Sequence, residues 1–328
     1  MAEINGANLS SVKIKRYFNN ILSNYGTVLV LIILCLGIAL ASDDFLTGTN
    51  LSNVGRQVTM IAIVAAGMTV VLLTGGIDLS VGSIAGLVGV VTAILLTSGI
   101  PVGLSIVLGL LLGAIVGLIN GLIITRLNIP FFIVTLAMMT IVRGVGFLLT
   151  KGLPVANFPQ SFQAIGKGYV GPISVSVLIV AVVYIIFHIM LNYTRMGRYI
   201  YAIGGNEEAV RLSGINVKFY TTIVYVICGL TAAMSGIILA SRLNSGQPTA
   251  GSGYELDAIA AVVIGGTKLS GGEGKIYQTL VGALIMGVLS NGLNLLNVSS
   301  YWQFILKGLI ILIAVFISAQ SNTESAKS

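Results

Sequence analysis

Long apolar stretches divided by short polar breaks run through almost the whole chain. A helix needs about 20 mostly apolar residues to cross the hydrocarbon of a bilayer. By that measure residues 22–42, 57–74, 81–98, 102–125, 131–150, 173–192, 219–241, 277–296 and 302–319 each predict a spanning helix, and 256–266 predicts a shorter one. The stretches are continuous rather than alternating, so a transmembrane barrel is excluded. The expected fold class is an all-α polytopic membrane protein with about ten transmembrane helices.

Composition agrees with the pattern. Only 8% of the 328 residues are charged, 56% are hydrophobic, and the mean hydropathy is +1.01. A soluble domain carries roughly 25% charged residues, so a soluble enzyme and a disordered chain are both disfavoured. Cys35 and Cys228 lie inside apolar runs and suggest neither a disulfide framework nor a metal cluster. The net charge of +7 matters through its placement. With the N-terminus inside, Lys13, Lys15, Arg16, Arg126, Arg195, Arg198, Arg211, Lys218, Lys268, Lys275 and Lys327 fall on the cytoplasmic side, and Arg56, Lys151, Lys167 and Arg242 fall outside. Because basic residues favour the inner side, both termini are predicted to be cytoplasmic, with loops 151–171 and 242–255 facing outward. The organisation expected is an N-terminal cytoplasmic segment, 1–20, a transmembrane domain, 21–320, and a cytoplasmic tail, 321–328. Ala39-Leu40-Ala41 imitates a signal-peptidase site, but the basic leader before it is longer than usual. The segment is read as a retained span.

Glycines and a few polar residues break the apolar pattern. Gly109, Gly113, Gly117 and Gly121 recur every four residues and share one helix face, where a second backbone can approach closely. Ala283, Gly287 and Asn291 form a similar stripe. At Thr74-Gly75-Gly76-Ile77-Asp78-Leu79-Ser80, the glycines suit a helix C-terminus and Asp78 suits the N-cap of the next helix. Gly265 to Gly272 matches this stretch at an offset of 190 residues, which suggests an internal repeat. Short, glycine-interrupted spans point to a transport path, with Asp78 and Ser80 as candidates. Asn120, Asn291 and Asn294 add amides that suit sugar hydroxyls, or interhelical hydrogen bonds, because they donate and accept. Arg143, deep in a span, requires a partner elsewhere in the bundle or a wet cavity.

One polar segment, about 193–218, lies between two long spans and carries most of the inner charge. Asn206 predicts an N-cap, Glu207 and Glu208 occupy a first turn where the helix dipole favours anions, and Gly214 ends the helix. Glu207 and Arg211 are spaced to pair. So short a helix is unstable alone and must dock, either on this protein's inner face or in a cleft of a cytoplasmic partner.

The residues of this segment, together with Gly75 to Ser83, Gln247 to Val262, Gly265-Gly266-Thr267, Asn291 to Leu296 and Val298 to Tyr301, resemble the permease subunits of bacterial ribose-type ABC importers. The likeness covers most of the chain from about residue 50 and is closer to ribose permeases than to allose- or autoinducer-type relatives. It implies a ten-span bundle like that of type II importers, working as a pair, most simply a homodimer. It also implies a cytoplasmic ABC ATPase, often with two fused nucleotide-binding modules, and a periplasmic sugar-binding protein. ATP would bind to the ATPase, so this chain holds no cofactor or metal and has no catalytic residue of its own. Nucleic acid is not an expected partner; lipid is, in a bacterial inner membrane. The resemblance assigns Gly204, Gly205, Asn206, Glu207, Glu208, Ala209, Arg211 and Gly214 to ATPase coupling. It makes Gln247, Thr249, Tyr254 and Glu255 candidates for docking the binding protein.

Leu269-Ser270-Gly271-Gly272-Glu273 imitates an ABC ATPase signature, but it lies between two spans, and Gly274-Lys275 does not fit a phosphate loop. An ion-coupled sugar transporter would need more intramembrane carboxylates than Asp78 and the marginal Asp257. A membrane enzyme would need a cluster that one histidine does not provide.

Overall fold

The computed structural model describes residues 26–325. The basic leader, including Lys13, Lys15 and Arg16, and Lys327 lie outside the described residues. Every apolar stretch of the pattern forms helix: α1 (Gly26–Ala41), α2 (Gly48–Leu73), α3 (Val81–Thr97), α4 (Val102–Leu127), α5 (Phe131–Thr150), α7 (Val175–Tyr193), α10 (Val217–Leu243), α11 (Tyr254–Ile264), α12 (Ile276–Leu295) and α13 (Ser300–Ser325). Between them lie the short helices α6 (Gln160–Lys167), α8 (Arg195–Gly205) and α9 (Glu207–Leu212). Four two-residue strands pair antiparallel: β1 (Val155–Ala156) with β4 (Ser245–Gly246), and β2 (Tyr169–Val170) with β3 (Ile173–Ser174). Six helices, α2, α4, α5, α7, α10 and α12, are long and apolar enough to cross a membrane. As helices, α3 and α11, of 17 and 11 residues, fall short of the usual crossing length.

The central element is α2. From Val58 to Leu73 all its residues are buried, so it is apolar on every side and surrounded by protein. The glycine stripe of α4 brings that helix onto α10. A Cβ at Gly113, Gly117 or Gly121 would collide with Gly229, Tyr225 or Thr222. The stripe on α12 likewise meets α2: Gly287 lies against Val58, and Asn291 exchanges two hydrogen bonds with Asn50, at 2.8 and 3.0 Å.

The loops sort to two ends. At one end β1 pairs with β4, Phe158 N–H donates to Asn244 at 3.1 Å, and the Arg56 guanidinium sits 5.5 Å from the centre of the Tyr169 ring. At the other, residues 74–80, α8, α9 and 265–275 meet. Gly272 N–H donates to Leu73 O at 2.9 Å and the Tyr201 hydroxyl donates to Gly274 O at 2.8 Å.

Two expectations are corrected here. The stretch 242–255 is not simply an outer loop. Gly246 lies against Gly89 and Ala93 of α3, Ala250 against Gly86, and Gly251 and Glu255 against Gly82. The chain therefore descends along α3 by about 10–16 Å, at 1.5 Å per helical residue, before α11 begins. This is why α11 is short: irregular backbone covers the rest of its path. The repeat at offset 190 also fails. Gly76 N–H bonds Val71 O and Gly75 N–H bonds Leu72 O, while Thr267 N–H bonds Val262 O and Gly266 N–H bonds Val263 O. The two helix ends share one motif at an offset of 191, where Gly75 and Gly266 carry the positive φ.

Candidate coupling surface and polar interior

Capping side chains build the α8–α9 segment. Thr194 accepts from Gly197 N–H at 3.2 Å to open α8. Asn206 ends α8 and opens α9, accepting from Ala209 N–H at 2.9 Å, as the sequence predicts. Gly214, with φ of +80°, closes the segment. The predicted ion pair differs: Glu208, not Glu207, bonds Arg211, at 2.5 and 3.0 Å. In so short a helix the three-residue spacing brings the side chains together as well as the four-residue spacing. That hydrogen bond holds the Glu208 carboxyl below its ordinary range. Glu207 instead lines a 330 Å³ cavity with Thr74, Asn128, Lys218 and Tyr225.

α9 docks on its own protein through one residue. Val210 is buried against Ile203 and Val217, while Glu207, Glu208, Ala209, Arg211 and Gly214 are exposed. Leu212 is 77% exposed at the tip; it carries neither charge nor cap, and its one mark in the sequence is an apolar residue two positions before the closing glycine. Gly205 is exposed, but Gly204 is half-buried, its Cα set against Leu73 O and Gly272 N. The signature-like Ser270-Gly271-Gly272 is thus a socket. Gly271 and Gly272 have φ of +87° and +76°, and Lys268 and Glu273 close the turn at 2.7 Å.

Above this surface the structure joins three predicted residues. Asn120 Nδ2 donates to Ser80 Oγ at 2.9 Å, and Ser80 Oγ donates to Asp78 Oδ1 at 2.6 Å. All three are fully buried. Asp78 is not the N-cap of α3; Ser80 holds that position, and Asp78 accepts from Ser80 N–H at 2.9 Å. Asp78 Oδ2 and Asn120 Oδ1 are buried without a hydrogen-bond partner.

The other candidates are dispersed. Asn291 is occupied by Asn50. Asn294 accepts from Gln303 Nε2 at 2.8 Å, near the opposite end of α12 from the α9 surface. Of the four docking candidates, Thr249 is exposed, Gln247 and Tyr254 are half-buried, and Glu255 lies against Gly82 in the first turn of α3. Arg143 finds its partners in the irregular segment: Nη1 donates to Pro248 O at 2.7 Å and to Ala250 O at 2.9 Å. Arg143, Glu255, Phe147 and Ser252 line a 440 Å³ cavity. Non-helical backbone within a membrane bundle must have its carbonyls satisfied by protein or water, and the guanidinium does so here.

A multi-helix bundle with a polar interior, broken spans and a capped helix projecting from one end has the make-up of a transport permease. The chain belongs to the family described as branched-chain amino acid transport system/permease component, which it matches over residues 50–315. Among individual proteins, it is 47% identical over 308 residues to a ribose import permease protein of Escherichia coli K12, covering 92% of this chain and 96% of that one. It is 46% identical over 308 residues to the ribose import permease protein of Bacillus subtilis 168, covering 93% and 96%. It is 39% identical over 315 residues to an L-arabinose transport system permease protein of E. coli K12, covering 96% of each. No solved structure matches the chain.

Proposed function

We propose that this chain is the membrane-spanning permease subunit of an ABC importer that carries a monosaccharide, ribose first among them, across a bacterial inner membrane. The observation that carries the coupling role is α9: a capped, charged helix held by Val210 alone, with Leu212 exposed, at the end rich in basic residues. The identity to ribose import permeases over nine-tenths of the chain supports the substrate class.

In this reading ten segments cross the membrane, those of α3 and α11 completed by irregular backbone, in a type II-like arrangement with both termini cytoplasmic. Two copies form the conduit. A cytoplasmic ATPase, with its two nucleotide modules in one chain, binds the ATP and grips α9 through Asn206, Glu207, Glu208, Ala209, Arg211 and Leu212. A loaded sugar-binding protein docks at the opposite end, with Thr249 and Gln247 in its footprint. Asp78, Ser80 and Asn120 form the inner polar part of the path and Asn294 belongs to the outer part. ATP binding and hydrolysis bias two states of the bundle differently, and Gly204 relays the movement of α8–α9 to the end of α2.

Reconstitution of the permease with its ATPase and binding protein in proteoliposomes tests the reading. Ribose uptake should require ATP. Uptake sustained without ATP by a proton or sodium gradient would overturn it.

A further inference from the structure

A second polar cavity, of 580 Å³, lies between α2, α11, α12 and α13, towards the end of the bundle away from α9. Gln57, Arg242, Asp257, Ser290, Asn294 and Lys307 line it. The sequence reading used only Asn294 among them as a path residue. Inside a membrane bundle each of these side chains is costly unless partnered or wet. Lys307 Nζ meets Asp257 Oδ2 at 2.9 Å, with side-chain exposures of 22% and 11%. That pairing cancels both charges and leaves the second carboxylate oxygen as an acceptor. Asn294 spends its Oδ1 on Gln303 and keeps its NH₂ group as a donor. Ser290 is only 5% exposed, and its Oγ is buried with no partner. Tyr254, Phe304 and Ile61 supply apolar surface beside these groups.

Several donors and acceptors, a neutralised Lys307–Asp257 pair and an aromatic wall suit a neutral polyhydroxylated ligand, with the Arg242 guanidinium, which donates to Arg56 O at 3.5 Å, as a further donor and the one uncancelled charge of the lining. Each sugar hydroxyl donates and accepts, and its C–H faces pack on apolar surface. We infer that this cavity is a monosaccharide-binding vestibule, holding the sugar after its release from the binding protein, with Ser290, Asn294 and Asp257 as the hydroxyl-contacting residues. The inference rests on the importer reading and gives that path an outer station.

The test uses the permease–ATPase complex in phosphatidylcholine nanodiscs, with Cys35→Ala and Cys228→Ala as background and Ser290→Cys as reporter. A small water-soluble methanethiosulfonate should modify the cysteine. Ribose should slow modification in proportion to occupancy, about tenfold at a concentration about ten times its Kd. Absence of modification, or modification indifferent to saturating ribose, overturns the inference. Protection by added phosphatidylglycerol with no effect of ribose also overturns it, since the cavity would then hold a lipid headgroup against Arg242. If Ser290→Cys does not insert, Asn294→Cys reports on the same cavity with the same outcomes. ATP-driven ribose uptake by the wild-type complex is measured in parallel. Uptake without protection removes this inference and leaves the importer reading intact; protection without uptake does the reverse.

Discussion

Arg143 offers the most direct test of the irregular segment along α3. Arg143→Met removes the guanidinium, and with it the cost of holding a half-buried cation, so the lasting loss lies in the two carbonyls it served. Pro248 O and Ala250 O, bonded at 2.7 and 2.9 Å, would each lose a partner at about 1–3 kcal/mol. The full loss of about 2–6 kcal/mol is reduced by water reaching them through the adjoining 440 Å³ cavity, which leaves a destabilisation of about 2–4 kcal/mol. Thermal unfolding of the purified permease should shift down by several degrees. A Ser252→Cys reporter on the same segment should label faster, because 247–253 would no longer be held against Gly82 and Gly86. Arg143→Lys, with a compact ammonium in place of the fork, should fall between the two. An Arg143→Met variant with the wild-type unfolding midpoint and the wild-type labelling rate would refute the claim that this side chain holds the segment.

Three further outcomes follow from the same geometry. Leu212→Asp should weaken ATPase binding by tenfold or more in a pull-down titration, since an apolar side chain that becomes buried contributes about 1.5–3 kcal/mol, while membrane insertion stays normal; unchanged affinity would remove Leu212 from the interface. Asn291→Ala should destabilise the bundle by about 1–3 kcal/mol, because it strands the buried Asn50 amide oxygen while its NH₂ group keeps Phe45 O, and Asn50→Ala/Asn291→Ala should cost less than the sum of the single changes, which a double-mutant cycle measures. The Glu208 carboxyl is lowered by Arg211, so the pair's contribution is complete above the ordinary carboxyl range and fades only as pH falls through the lowered value. ATPase docking followed from pH 8 down to about 5 should therefore show no step abolished by Glu208→Gln.

Much of this molecule could be read from one sequence because hydrocarbon is a simple solvent. The apolar stretches mark ten helices, the four-residue glycine spacing predicts a face of α4 open to close backbone approach, which the structure fills with α10, and Asn206 to Gly214 predicts a capped helix. Asp78 and Ser80 are candidates from one stretch and Asn120 from another, and the three form one hydrogen-bonded group. What escaped was decided by tertiary packing. The segment 244–253 is polar and glycine-rich, as an exposed loop would be, and nothing local shows that α3 presents Gly82, Gly86 and Gly89 for it to lie against. Arg143 announces that it needs a partner but not which one, because the backbone carbonyls that serve it carry no mark in a sequence. Spacing alone allowed Arg211 either glutamate, and the turn geometry selected Glu208. The cavity under α13 draws one or two residues from each of several elements, so no motif announces it.

The seat of Gly204 on Leu73 O and Gly272 N has one more consequence. A joint made of main chain against main chain has no rotamers to absorb displacement. A push delivered at the tip of α9 would reach the central helix as rigid leverage, with little slack. Surface side chains there are then free to drift with whatever motor they meet, provided the three bare backbones stay in touch; adding a single methyl group at Gly204 would wedge the joint open and uncouple fuel consumption from delivery of cargo.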